Sequence, residues 1–210
     1  MEFNIVKLKR VAKKKKLRVG QHHGDLRRVL LAAAIRILSR GKERPSLREV
    51  ARAAGVSQAA PYHHFGSRNG LMAAVACAGF GELEDVLLAA ASRTRDPVQR
   101  VARMSEAYVE FALEHPQHYR VMFDPELVPD DDELERVARR VFGHLVEAVS
   151  AAVPDERLSV ARARQVFALA HGTVDLAGSD ALAKLGGPSS PRDVAREVAS
   201  ATAALLRSHS

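Results

Sequence analysis

Four short stretches in the first third of the chain place polar side chains where they can hydrogen-bond to an anion or to the edge of a flat heterocycle. Ser46-Leu47-Arg48-Glu49 has the Ser-x-x-Glu spacing of a capping box, in which each side chain satisfies an orphan amide at a helix start. Gly55-Val56-Ser57 reads as a three-residue turn, with Gly55 in the left-handed position that ends one helix and Ser57 as the cap of the next. That next helix runs through Gln58, Tyr62 and Phe65 to Gly66, and Ser67 caps a fourth. Ser46 and Ser57, with the free amides at helix starts, carry donors suited to phosphate oxygens, as do Tyr62, His64 and Arg68, while Arg48 and Arg52 add charge on the flank. Gln58 has an amide that can pair bidentately with adenine. Ala59 or Ala60 offers a methyl for thymine, and His63 can donate or accept at a base edge. For each histidine the alternative is a surface imidazole that touches only backbone.

These groups need elements to hold them. Leu26, Val29, Leu30, Ala33, Ile37 and Leu38 recur at helical spacing behind Asp25 as N-cap, and Gly41 closes the pattern. A longer helix followed by two short ones around a glycine turn is the helix-turn-helix arrangement, whose second short helix enters the major groove; an ordinary corner of two helices has the same outline. Charge distinguishes the two. Met1 to Gly20 carries 8 basic residues against 1 acidic, Gln21 to Met72 carries 9 against 3, and the remainder 15 against 21. A basic front joined to an acidic back suits a head that binds a polyanion and a body that stays off it. Lys7, Lys9, Arg10, Lys13 to Lys16 and Arg18 form a basic arm expected to lack order in the free protein, either a nucleic-acid contact or a solvated leader.

Proline punctuates the remainder, and its segments have helical periodicity: Val98 to Ala112, Leu134 to Val149, about Val160 to Leu182, and Arg192 to Arg207. No alternating run argues for a sheet, so the expectation is an all-α protein of about nine helices, in which the fourth continues to about Ser92. Domain boundaries are expected at 1–20 for the arm, 21–70 for the head and 71–210 for the body.

The run His22-His23-Gly24-Asp25-Leu26-Arg27, then Ser46-Leu47-Arg48-Glu49-Val50-Ala51, then Gly55-Val56-Ser57 and Tyr62-His63-His64-Phe65, closely resembles the DNA-binding signature of the TetR family of bacterial transcriptional regulators. More weakly, Ala170-His171-Gly172 resembles the C-terminal domain called WHG in one branch of that family, with alanine where an aromatic is usual. The resemblance implies a DNA head made of the first three helices, a pocket for an effector among the middle helices, and a homodimer formed through the last two. It further implies repression of transcription by binding double-stranded operator DNA, with release by a small molecule. Two heads about one DNA turn apart, roughly 34 to 36 Å, require a near-palindromic operator.

Carried onto this chain, the pocket falls to Phe80, Met104, Tyr108, Phe111, Tyr119, Met122, Phe142 and Phe167, with His118, His171 and Asp175 as polar groups that orient an apolar effector with one polar end. Plain core is the alternative for each. The seam falls to Val166, Ala170, Thr173, Val174 and Ala177 with Val194, Val198, Ala201 and Leu205, whose small and β-branched faces pack helix on helix. Two departures stand out. Pro61 removes an amide that would bond to Ser57, so the first turn of the recognition helix is expected to be irregular, and Gly70 stands where related sequences carry an acidic residue, which weakens the cap of the fourth helix.

Catalysis and cofactors find little footing. His115 and His118 flank Pro116, which breaks the helix on which they would have to converge, and His22 with His23 has no third ligand; no His-Glu-x-x-His run, glycine-rich phosphate loop or Gly-x-Ser-x-Gly elbow is present. With a single cysteine, Cys77, no disulfide framework or thiolate site can be drawn. The chain has no run of eighteen apolar residues, and charge occupies the place of a signal peptide's apolar core, so a soluble, cytoplasmic protein that meets no membrane is expected. A constitutive DNA-binding protein without an effector is the nearest rival reading.

Overall fold

The computed structural model describes residues 23–42, 44–123, 131–188 and 190–208. All regular structure among them is helical: α1 His23–Leu38, α2 Leu47–Ala54, α3 Ala60–Phe65, α4 Arg68–Ala91, α5 Pro97–Glu114, α6 Pro116–Phe123, α7 Asp132–Ala152, α8 Glu156–Gly178, α9 Ala181–Lys184 and α10 Pro191–Arg207. The basic arm, His22 and the first of the acidic residues at 130–133 lie outside the described residues. No helix among those described is long and apolar enough to cross a membrane.

Local chemistry accounts for most of the boundaries. Asp96, Asp155 and Ser190 cap α5, α8 and α10 through bonds from the amides of Gln99, Leu158 and Asp193. Pro97 and Pro191 occupy first-turn positions where a missing amide costs nothing. Asp131 Oδ1 accepts from the amide of Leu134, so the acidic stretch does supply a helix cap. Some boundaries differ from the sequence expectation. α1 begins at His23, which puts Asp25 inside the helix rather than at its cap. The segment expected to run to Leu182 ends at Gly178, because Asp180 adopts a left-handed φ of 57° and a one-turn helix, α9, restarts beyond it.

The chain divides into two compact units, the first comprising the described residues up to Gly79 together with Gln117–Leu134, the second Phe80–Pro116 and Glu135–Ser210. In the first unit α1 packs on α2 and α2 on α3, around Leu30, Ala33, Ala34, Leu38, Leu47, Val50, Leu71, Met72, Val75 and Val121, all nearly without solvent exposure. Burial of the leucine, methionine and valine side chains among them contributes about 1.5–3 kcal/mol each relative to exposure. Helix α6 packs within this unit at Gly79, where an added Cβ would lie 2.6 Å from Met122 Sδ and 2.8 Å from His118 Nε2. In the second unit α10 lies along α5, and α8 packs against both.

Candidate nucleic-acid interface

The capping box forms as its residues require. The hydroxyl of Ser46 accepts from the Glu49 amide at 3.2 Å and donates to Glu49 Oε2 at 2.8 Å, while the Ser46 amide donates to the same oxygen at 2.9 Å. Lys42 also donates to Glu49 Oε1. That hydrogen bond, with those from the Ser46 amide and hydroxyl, holds the Glu49 carboxyl down at about 2. Ser46 therefore has both its donors committed to Glu49. In this arrangement its hydroxyl serves the helix cap.

Gly55 ends α2 in the left-handed region, φ 70°, with its amide bonded back to Arg52. The recognition segment then departs from the reading that Ser57 caps a helix. Ala59 is the residue at the helix start, without a side-chain cap, and α3 begins only at Ala60. Pro61 is the cause: it has no amide to give the Ser57 carbonyl, and the Ala60 amide takes that carbonyl instead, at 3.1 Å in a tighter turn. Pro61 itself is buried, and Ser57, Gln58, Ala59, Tyr62 and His63 are exposed, Tyr62 by 50%. His64 and Arg68 are half-buried, and Arg48 and Arg52 are exposed on α2. A short helix with a turn ahead of it thus displays the amide of Gln58, the methyl of Ala59, the phenol of Tyr62 and the imidazole of His63.

Behind this display the packing is tight. Ser67 accepts from the Gly70 amide at 3.1 Å, so the fourth helix does have its serine cap. Gly70 answers a steric demand rather than an electrostatic one: an added Cβ would lie 2.1 Å from the Phe65 carbonyl oxygen. Arg27 stacks its guanidinium 5.5 Å from the centre of the Phe65 ring, a cation held beside α3 by α1. Sequence reasoning had no role for Arg27, although it stands inside the signature that carried the resemblance.

Several of the residues expected to line a pocket come together in the second unit. The Tyr108 hydroxyl and His171 Nδ1 are 2.9 Å apart, and Phe167 meets Tyr108, Phe142 and His171 at ring-centre separations of 6.0, 6.0 and 5.2 Å. Asp175 Oδ2 is 3.9 Å from His171 Nε2. Phe80, Met104 and Phe111 are buried in the same unit. His118, Tyr119 and Met122 belong to the first unit, where His118 Nε2 donates to the Val75 carbonyl at 3.1 Å. His115 stands at the end of α5 with its ring on Phe111. Glu84 binds Arg140 through both carboxylate oxygens and meets His144 at 2.8 Å; the Arg140 hydrogen bond, foremost, keeps its carboxyl below the usual range.

The residues expected at the seam fall into two groups by their burial within one chain. Val166, Ala170, Val174, Val194 and Val198 are each 5% exposed or less within a single chain, because they form the contact of α5, α8 and α10. Side chains already buried in their own chain have no surface left for another. Thr173, Ala177 and Leu205 are half-buried and Ala201 is exposed, as is Leu176, a large apolar side chain at 44%.

A helix-turn-helix head carried by an all-helical chain defines a DNA-binding regulator. Residues 30–75 match the family described as bacterial regulatory proteins, tetR family, and residues 101–206 match the tetracyclin repressor-like C-terminal domain. The chain belongs to the TetR family of DNA-binding transcriptional regulators. It is 30% identical over 136 residues to the HTH-type transcriptional regulator BetI of Rhizobium meliloti (strain 1021), a match that covers 61% of this chain and 66% of that one, just under two thirds. A structure of a protein of unknown function from Rhodococcus sp. RHA1 is 32% identical with a TM-score of 0.74, covering 90% of this chain and 98% of that one. The crystal structure of AibR in complex with isovaleryl coenzyme A and operator DNA shares the fold, at 18% identity and a TM-score of 0.61 over 84% of this chain and 97% of that one.

Proposed function

We propose that the chain is a repressor that binds a near-palindromic operator as a homodimer and leaves it when a small molecule binds the second unit. The observation that carries this reading is the display of Gln58, Ala59, Tyr62 and His63 on a segment whose supporting residues are buried or committed to caps. In this reading Gln58 and His63 read base edges, Ala59 meets a thymine methyl, and Ser57, Tyr62, His64 and Arg68 hold phosphates with Arg48 on the flank. The functional division is an arm at 1–20, a head at 21–70 and a body beyond it. The arm adds affinity through phosphate neutralisation, each contact steepening the salt dependence by about 0.9.

The seam of the dimer is assigned to Thr173, Ala177, Ala201 and Leu205 with Leu176, the outward residues of α8 and α10. For the effector, Tyr108, Phe142, Phe167 and His171 supply an aromatic surround with one polar pair, which suits an apolar molecule with a polar end. The isovaleryl coenzyme A of the AibR complex shares with such a molecule only its short apolar acyl end. Such a molecule acts as a switch only by preferring the DNA-incompetent state, and near-complete conversion takes about 5.5 kcal/mol of preference.

Selection of duplexes from a random pool by the full-length protein tests the reading, followed by titration of the selected duplex and a scrambled one. We expect an enriched palindrome; recovery of no consensus would overturn sequence-specific repression. On that duplex Gln58→Ala should cost about 1–3 kcal/mol of discrimination, whereas Tyr62→Phe should weaken both duplexes alike.

A further inference from the structure

Five charged side chains of the second unit line one groove of about 250 Å³: Arg93 just past the end of α4, Arg103, Glu106 and Glu110 on α5, and Arg192 in the first turn of α10. Its floor is small and apolar, made by Ala90 and Ala107. Residues 103, 106 and 110 fall on one side of α5 by helical spacing, so the mixed signs are built into one face. Yet among the described residues none of the five comes within 4.0 Å of an oppositely charged group. Opposite charges that border the same groove and stay apart leave room between them for a third party. Glu110 is pushed upward by desolvation first and by Glu106 and Glu114 next, against the pull of Arg192 and Arg196.

We propose that this groove binds a small amphoteric acid, a molecule with two acidic groups and one ammonium, of the acidic amino-acid class. Three guanidiniums against two carboxylates leave the groove one positive charge in excess, and the complement is a ligand of net charge −1 that carries both signs. A plain dicarboxylate would satisfy the arginines but face Glu106 and Glu110 without a cation. A diamine would face three guanidiniums. The planar fork of arginine favours carboxylates in bidentate geometry, and the glutamates take the ammonium. Arg103 and Glu106 also line the adjoining groove of about 370 Å³ between α5 and α10, which Gln99, Ser200 and Arg207 border, so a longer substituent has space to extend along that seam.

Isothermal titration of the full-length protein with L-glutamate at physiological ionic strength tests this, with glutarate and γ-aminobutyrate as comparators lacking the ammonium and the second acid. The expected result is one saturable site per chain for glutamate and binding at least about tenfold weaker for either comparator, the loss of one charge-assisted pair. Arg103→Ala and Glu106→Gln, both at the solvent side of α5, should each weaken glutamate by a similar factor with the helical circular dichroism unchanged. Arg157→Ala, an exposed cation of the second unit that does not line the groove, should leave it as it is. No measurable binding, equal binding of glutarate, or an Arg103→Ala protein that binds as tightly as the parent would overturn the assignment. None of these outcomes depends on operator binding.

Discussion

In the first unit, Gln58, Ala59, Tyr62 and His63 stand in solvent while the residues that hold them are buried or tied into caps: Pro61, Ser46 and Glu49, and Gly70 under the Phe65 carbonyl. In the second unit the residues with chemistry touch one another. Tyr108 bonds to His171, Phe167 meets three rings, and Glu84 is enclosed by Arg140 and His144. A displayed side chain can be read for its role from its type and position. An engaged one serves stability and recognition at once, and its type alone does not separate the two.

The largest effect that sharpens this contrast comes from α10. Val198 is 3% exposed, so Val198→Glu should place an unpaired charge in the core of the second unit and cost about 3–5 kcal/mol, read as loss of cooperative thermal unfolding. Ala201→Glu, three residues on and exposed, should keep the fold and weaken self-association, read by sedimentation. A folded Val198→Glu protein would break the distinction between engaged and displayed faces.

Next in size is the cap of α2. Ser46→Ala removes the acceptor for the Glu49 amide and one of the donors to its carboxylate, and should destabilise by about 1 kcal/mol in urea unfolding without changing the consensus of the duplexes bound. A changed consensus would move Ser46 from support to display.

The smallest effect is a pH dependence. The Glu49 carboxyl is depressed to about 2 in the folded chain, so its contribution is present above its ordinary value and is lost as pH falls from about 4.5 through about 2. Glu49→Gln should lower stability at neutral pH and flatten the acid limb in that window, because the contribution it removes is the one the parent loses on acidification. An acid limb as steep as the parent's would show that Lys42 and Ser46 do not discriminate the ionised form.

The same contrast explains how far the sequence could be read. The head was legible because its signals are local: Ser46 and Glu49 three apart, Gly55 at a left-handed position, Pro61 withdrawing an amide. Even there, the withdrawn amide moved the helix start to Ala60, and the steric reason for Gly70 needed the fold, since Phe65 approaches it only through a turn. All-helical architecture was legible from periodicity, but the partner of each face was not. The valines of α8 and α10 form apolar stripes that suit an inner or an outer contact equally, and only the packing of α10 on α5 decides for the interior. The sixth helix illustrates the same limit: His118 looked like a polar group for a ligand, and the Val75 carbonyl takes its Nε2 proton.

Pro61 separates two tasks that a regular recognition helix would fuse. With the helix starting at Ala60, Ser57, Gln58 and Ala59 sit on a turn whose shape is set from behind, by a buried ring that faces away from solvent. Specificity then has a hidden handle. Pro61→Ala would return the missing donor to the Ser57 carbonyl and let the helix take in the three residues before it, rotating Gln58 and Ala59 to new positions. Under the proposed operator binding, one change at this buried position would alter the sequence that is read.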